Sequence, residues 1–195
     1  MKRSTLCMVI VLFLSSCLNT TICLGQQQAL QPDEYAVYAV IAQTLFIGNG
    51  TDQVIFEKRI SGNRVDDHKS ISNQIGWKFS ELMSSTIDDY LQKSRKAVYL
   101  DVLFHLPVKY FLIAPKEVDS FFKKGGGRWD AFYKKYPKSP GLLALSRVGF
   151  NQERNQALLY VNLSCGSLCG EGSWILLEKK AAVWAIRNQY TSVRS

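Results

Sequence analysis

The amino-acid sequence predicts an α+β fold in which short amphipathic helices cover one face of an antiparallel sheet. Segments with apolar residues at helical spacing lie before residue 140, and strand-like segments separated by short polar turns follow one another after it. Consecutive strands joined by short turns pair as an antiparallel meander. Helices grouped upstream of such strands are typical of α+β proteins.

The first half of the chain is predicted to contain two helices and one strand. A helix is expected over about 32–46, because Pro32 suits a first helical position, two acidic residues follow it and Gly48 ends it. The apolar run 54–60 indicates a strand, and the polar segment 61–73 is interpreted as a loop. A second, short helix is expected over 85–93.

The middle of the chain combines a strand with two aromatic helices. Residues 108–113 are apolar at both alternating sets of positions, which predicts a central strand of the sheet. Pro115 begins a helix that the glycines at 125–127 end, and the next helix carries aromatic residues at i, i+3, i+4 and i+7 from Trp129. Such a stripe is expected to cover the sheet as part of the core.

The last third predicts four successive strands, at about 141–150, 156–164, 173–178 and 182–188. The segments 151–155 and 179–181 between them are short and polar, as hairpin turns are. This meander is the basis of the expected antiparallel sheet.

Residues 1–25 are predicted to be a signal peptide, and residues 26–195 a single α+β domain. A basic start precedes an apolar run at 6–14 that is too short to cross a hydrocarbon core of ~30 Å as a helix. Two interpretations of the cleavage remain open. Segment 14–17 resembles a bacterial lipobox, which makes Cys17 a lipidation candidate, whereas cleavage after Gly25 leaves an even number of cysteines.

The net charge of +8 falls to about +6 when Lys2 and Arg3 leave with the signal peptide, because 22 basic residues then face 16 acidic ones. The positive residues are scattered along the chain and are expected to be solvated at the surface. Anionic components of the envelope are the partners that such a surface would attract. Nucleic acid is not expected as a partner, and a membrane only through a lipid anchor on Cys17. The expected location is extracytoplasmic, in the periplasm, the cell envelope or the medium.

Cys165 and Cys169 are expected to form a disulfide, because neighbouring thiols outside the cytoplasm tend to be oxidised. A redox couple is an alternative, although the spacing is C-x-x-x-C and no helix follows to present a thiolate. A metal pair would need further ligands, and the chain has only two histidines, His68 and His105. No cofactor, metal site or catalytic residue is therefore assigned.

Three motifs follow one another near the C-terminus: SRVGFN at 146–151, QALLYV at 156–161 and CGSLCGEG at 165–172. Together with shorter segments between Glu34 and Trp184, they resemble an uncharacterised family of exported bacterial proteins, and the resemblance spans nearly the whole of residues 26–195. In that family the turn before the last-strand Trp usually ends in Gly, whereas Ala182 stands there in this chain. The family has no assigned activity, so the resemblance implies a fold and no catalytic residues.

A binding surface is one interpretation of the C-terminal motifs, in which polar residues of SRVGFN meet the glycine-rich loop. Its members would be Arg147, Asn151, Gly166, Gly170, Glu171 and Gly172. In the alternative interpretation, Gly149 marks a bulge and Asn151 begins a hairpin turn.

The sequence does not identify a reaction or a ligand. It favours an exported, non-catalytic binding or structural module of the envelope or the medium. A hydrolase of envelope material, using His105 or a carboxylate near the glycine loop, is the first alternative. A protein that exchanges thiols and disulfides through Cys165 and Cys169 is the second.

Overall fold

The computed structural model of the chain describes residues 29–61, 68–122 and 128–194. The predicted signal peptide, with Cys17, and the glycines at 125–127 lie outside these residues. Within them, no helix is long and apolar enough to cross a membrane. The helices are α1 (Pro32–Ile41, continued by a π-helical turn, Ala42–Phe46), α2 (His68–Ile75), α3 (Ser84–Ser94), α4 (Pro115–Phe122) and α5 (Trp129–Lys135). The strands are β1 (Gln53–Glu57), β2 (Arg59–Ile60), β3 (Val98–Tyr99), β4 (Lys109–Ile113), β5 (Leu142–Leu145), β6 (Gly149–Phe150), β7 (Gln156–Gly166), β8 (Cys169–Lys180) and β9 (Val183–Arg194).

The fold is α+β, as predicted, but its main sheet is mixed. The strand order is β4-β1-β5-β7-β8-β9, with β6 also paired to β7, and β2 pairs with β3 separately. The strands β7, β8 and β9 form the predicted antiparallel meander. By contrast, β1 pairs in parallel with β4 and β5, so the expected antiparallel pairing holds only for the strands from β5 to β9. Parallel pairs need long crossover connections, and α2 to α5 lie in these connections.

Helices lie on both faces of this sheet, so the expectation that they cover one face is wrong. Alternate residues of a strand point to opposite faces. Leu159 of β7 belongs to the core cluster of α1, whereas its neighbour Leu158 packs with Ile75 of α2 and Ile87 of α3. On β1, Val54 and Phe56 belong to the core cluster of α1, whereas Ile55 between them packs with Phe132 of α5. We call the α1 side the first face and the other side the second face.

The predicted helices agree with the structure in position. The helix expected over 32–46 is α1 together with its π-helical turn, and the one expected over 85–93 is α3. Part of the predicted loop 61–73 is wrong, because α2 begins at His68 and residues 62–67 are not described. Ile71 and Ile75, one helical turn apart, are both fully buried beneath this amphipathic helix.

Strand β4 lies at the edge of the sheet, so its predicted central position is wrong. Tyr110 and Leu112 pack on the first-face core, while Phe111 points to the other side and contacts the Tyr136 ring. The strand is apolar on both faces because helices cover both faces, and not because strands flank it on both edges.

Candidate functional site

The predicted disulfide between Cys165 and Cys169 closes the tip of the β7–β8 hairpin. The two Cα atoms lie 5.0 Å apart, within the range that a disulfide bridges. Gly166 pairs with Cys169 next to the bridge, and Leu168 at the tip is 89% exposed. Cys169 is itself exposed, so the bridge is accessible to a soluble reductant.

Arg147 does not lie on the predicted binding surface, because its side chain is fully buried. Its guanidinium donates two hydrogen bonds of 2.9 Å to the two carboxylate oxygens of Glu34, which is also fully buried. Glu34 accepts further hydrogen bonds from the backbone N–H groups of Gln31 and Val148. This ion pair joins α1 to the segment between β5 and β6.

Asn151 is also buried, and it organises the β6–β7 turn. Its side-chain oxygen accepts hydrogen bonds of 2.9 Å from the backbone N–H groups of Asn155 and Gln156. Asn151 is therefore a turn residue, as the alternative interpretation of the sequence predicts. Leu145 pairs with Val161 and Gly149 with Leu158, so one extra residue lies opposite β7 just before Gly149, as in a bulge. Gly149 faces α3, where a Cβ would collide with the Thr86 carbonyl oxygen.

The glycine-rich segment at the other end of β7 is separated from these two residues by most of that strand. Asn151 adjoins residue 156, whereas Glu171 and Gly170 pair with residues 163 and 164. Eight residues of strand span about 26 Å. The structure therefore does not bring the six predicted binding residues together.

Glu171 lies on the first face, where it borders a cavity of about 490 Å³. The floor of this cavity is apolar, with Leu163 and Ile175, and the π-helical turn forms one wall. Burial alone would raise the pKa of Glu171, but hydrogen bonds from Ser173 and Thr191 and the charge of Arg194 lower it overall. Glu171 is thus held ionised by groups of its own sheet.

Gly172 faces the opposite side and makes room for Tyr160. A Cβ at this position would collide with the Tyr160 hydroxyl, so only glycine allows the ring to lie there. The same hydroxyl accepts a hydrogen bond of 3.3 Å from Ser192 of β9. Of the predicted binding residues, Gly172 is therefore the one that shapes a second-face cavity.

This second-face cavity has a volume of about 570 Å³ and is rich in aromatic side chains; we call it the aromatic cavity. Trp77 is 66% exposed, and its ring centroid lies 5.8 Å from that of Tyr190 in an edge-to-face contact. Asn73, Gln74 and Ser192 supply polar groups to the remaining lining. The lining residues are Asn73, Gln74, Trp77, Tyr160, Trp174, Tyr190, Ser192 and Val193.

Hydrogen bonds hold the exposed Trp77 in place. Its indole N–H donates to the Gln74 carbonyl oxygen at 3.1 Å, and the Gln74 side chain accepts from the Trp174 indole at 3.3 Å. The Asn188 amide of β9 donates to the Lys78 carbonyl oxygen at 3.0 Å. Lys78 places its ammonium 4.2 Å from the Trp77 ring centroid, so a cation borders the aromatic surface.

A smaller cavity of about 150 Å³ adjoins the aromatic cavity, and Tyr160 lines both. We call it the acidic cavity, after Glu57, which lines it together with Arg59 and Asn162. Burial raises the pKa of the Glu57 carboxyl. Among the described residues, no side chain forms a hydrogen bond or an ion pair with Glu57.

The two cavities lie along one row of residues that crosses the sheet. The small residues Ala144, Asn162, Gly172 and Val193 are register partners on adjacent strands from β5 to β9. Glu57 continues the row on β1, because the preceding Phe56 pairs with Leu143. Four strand spacings of ~4.8 Å make this row about 19 Å long.

Sequence reasoning missed Trp77, Tyr160, Tyr190 and Glu57 as members of a site. The signal for Trp77 was its place beside Gly76 and Lys78, directly after the residues that form α2. The others stand at ordinary strand positions, where the sequence alone does not distinguish a cavity wall from core.

The two histidines lie outside these cavities. His68 begins α2 and contacts the Ser72 hydroxyl at 3.2 Å, while His105 is exposed in a loop. Within residues 29–61, 68–122 and 128–194, no three His, Cys, Asp or Glu side chains gather closely enough to hold a metal ion.

Comparisons of the chain with known protein families, with curated proteins and with solved structures each found no match.

Proposed function

We propose that this chain is an exported, non-catalytic binding module whose aromatic cavity holds acidic saccharides of the cell envelope. The observation that carries the proposal is the exposed Trp77 ring, set beside Tyr190 and surrounded by amide and hydroxyl groups. The leader at 1–25 is the sequence feature that motivates export.

The aromatic side chains suit the faces of sugar rings. An aromatic face carries partial negative charge and attracts groups with polarised hydrogens, such as the C–H face of a pyranose. Trp77 is largely exposed although a large aromatic residue is usually buried, and exposed apolar surface rimmed by polar groups marks a ligand site. Asn73 and Ser192 supply donors and acceptors for sugar hydroxyls beside it.

The charge at the cavity favours an acidic saccharide over a neutral one. The residues that line it carry no carboxylate, and Lys78 holds its ammonium against the Trp77 ring. A carboxylate on a bound sugar would find this cation at the edge of the aromatic surface, which agrees with the positive net charge of the chain.

Binding is proposed in preference to hydrolysis because of the distribution of acid–base groups. A hydrolase needs two such groups within reach of one reacting bond. Among the described residues that line the three cavities, the carboxylates are Glu57 and Glu171, which lie on opposite faces of the sheet. His105 lines none of these three cavities.

The proposal is tested by titrating the protein with a galacturonate tetrasaccharide and with its neutral galactose counterpart, followed by calorimetry and tryptophan fluorescence. The galacturonate is expected to bind more tightly than the neutral sugar. Added salt is expected to lower the affinity for the galacturonate and to leave the affinity for the neutral sugar unchanged. Trp77→Ala should lower the affinity for it about tenfold or more, as removal of a central aromatic contact does. Lys78→Gln should remove the preference for the acidic sugar.

Tyr99→Ala is the matched control, since Tyr99 is a 46% exposed aromatic residue on β3, outside the cavity. It should leave the affinity unchanged. If neither tetrasaccharide binds, or if Trp77→Ala and Tyr99→Ala bind equally well, the saccharide proposal is wrong.

A further inference from the structure

We propose that the acidic cavity is a separate binding site for a small free α-amino acid, with Glu57 taking its ammonium group and Arg59 its carboxylate. This site does not depend on the saccharide proposal, since only Tyr160 lines both cavities.

The wall of the acidic cavity carries one group of each charge. Glu57 and Arg59 carry opposite charges, line the same cavity and are not within ion-pair distance of each other. Among the described residues, neither side chain has another hydrogen-bond or ion-pair partner. A half-buried carboxylate without a partner is costly, and charge-assisted hydrogen bonds from a ligand ammonium would remove that cost.

The position of the Glu57 and Arg59 side chains also suits an α-amino acid. They are two residues apart in the chain, on either side of a bend at Lys58 that separates β1 from β2, and both line the same cavity. Their charged groups form no ion pair with each other, so a small ligand can lie between them. An α-amino acid carries both opposite charges on one carbon, and therefore contacts both side chains at once.

The volume of the acidic cavity suits a small amino acid. A cavity of about 150 Å³ holds the equivalent of roughly five water molecules at ~30 Å³ each. Glycine, alanine and serine have five to seven non-hydrogen atoms and fit this space. The Asn162 amide on the floor supplies a further polar contact, and the Tyr160 ring closes the side toward the aromatic cavity.

The arrangement also explains why Glu57 remains unpaired in the fold. The strand β1 is fixed between β4 and β5 through its backbone, so the Glu57 side chain must point to the second face. No described cation reaches it there. A ligand that brings its own ammonium completes the site.

The test is isothermal titration calorimetry of the whole protein with alanine, ethylammonium and propionate at pH 7. Alanine carries both charges, and each of the other two lacks one of them. Alanine alone is expected to bind measurably. Glu57→Gln and Arg59→Gln should each lower its affinity by about ten- to a hundredfold, the usual effect of losing a charge-assisted hydrogen bond.

Two controls separate this site from the rest of the molecule. Glu178→Gln removes a carboxylate of β8 that pairs with Lys180, and it should leave alanine binding unchanged. Trp77→Ala should also leave it unchanged, even if saccharide binding is lost. The proposal is overturned if alanine does not bind, if ethylammonium or propionate binds as well as alanine, or if Glu57→Gln keeps the affinity of the original protein.

Discussion

Glu34 and Arg147 form a bidentate ion pair in the interior of the protein, with both side chains fully buried and both hydrogen bonds 2.9 Å long. The two residues are 113 positions apart in the sequence. The pair fixes the first helix against the segment that leads into β6. It explains in physical terms why a charged residue stands in the middle of the SRVGFN segment.

Arg147→Met is expected to lower the free energy of unfolding by about 3–5 kcal/mol, because it leaves the Glu34 carboxylate buried without its partner. The double variant Glu34→Gln/Arg147→Met should recover part of this loss. Urea unfolding followed by circular dichroism measures both values.

Asp33→Asn is the control for this prediction, since Asp33 lies beside Glu34 and pairs with Arg154 at the surface, where the two side chains are 33% and 41% exposed. Its effect should stay below about 1 kcal/mol. Equal losses for Asp33→Asn and Arg147→Met would contradict the importance of the buried pair.

Ala182→Gly is expected to stabilise the protein by about 1 kcal/mol. Ala181 and Ala182 form the two-residue turn between β8 and β9, and both have positive φ, at 49° and 67°. This geometry costs a residue with a Cβ about 1–2 kcal/mol relative to glycine. Thermal unfolding of the variant measures the change.

Ala185→Gly, at an exposed position inside β9, should do the opposite and lower stability by about 0.5–1 kcal/mol. If both glycine variants lower stability, the strain assigned to the β8–β9 turn is absent.

Removal of the disulfide is expected to lower the free energy of unfolding by about 2 kcal/mol, because the bridge restricts a loop of only about five residues in the unfolded chain. The double variant Cys165→Ser/Cys169→Ser tests this by urea unfolding. Dithiothreitol should lower the stability of the original protein to that of the variant and should not affect the variant.

The same experiment addresses thiol–disulfide exchange. A bridge that opens only at high dithiothreitol concentrations would argue against this activity, despite the exposure of Cys169.

Glu57→Gln is expected to raise stability at pH 7. Burial raises the pKa of the Glu57 carboxyl, so the folded state binds the proton more tightly than the unfolded state does. The ionised carboxylate therefore destabilises the fold above the raised pKa, and this penalty disappears below the unfolded pKa of about 4.3. Unfolding curves at pH 7, 5 and 3.5 should show the advantage of glutamine shrinking as the pH falls.

Glu117→Gln is expected to have the opposite effect on stability at pH 7. Burial raises the pKa of Glu117, but hydrogen bonds from Lys135 and Tyr136 outweigh it and lower that pKa overall. Its ionised form stabilises the fold above the unfolded pKa, so glutamine should lower stability at pH 7 and should lose this effect in acid. If the stabilities of Glu57→Gln and Glu117→Gln change with pH in the same direction relative to the original protein, Glu57 is not an unpaired carboxylate.

The local elements of the fold were predictable because their signals are local. Pro32, Gly48 and the acidic first turn mark the ends of the first helical segment, and the alternation after residue 156 marks the meander. The helix α2 was missed because only Ile71 and Ile75 carry its apolar face in an otherwise polar segment. Two apolar residues at helical spacing are too few to outweigh the loop-like composition around them.

The candidate site was less predictable than the fold. One of the two interpretations of the C-terminal motifs placed Arg147 on a surface, because a charged residue is rarely fully buried unless it is paired, and its partner Glu34 lies on another element. Trp77 lies in the turn after α2, while Tyr190 and Glu57 lie on β9 and β1, and no spacing in the sequence relates the three residues.

The sequence by itself determined the α+β class, the C-terminal meander and the disulfide, since short-range spacing, turns and cysteine proximity specify them. Only the tertiary structure decided that β1 pairs in parallel with β4 and β5, that helices cover both faces, and that two cavities share Tyr160. These features depend on which distant segments pair across the sheet. The packing of the whole core determines which segments pair, and the side-chain periodicity within one segment does not indicate its partner.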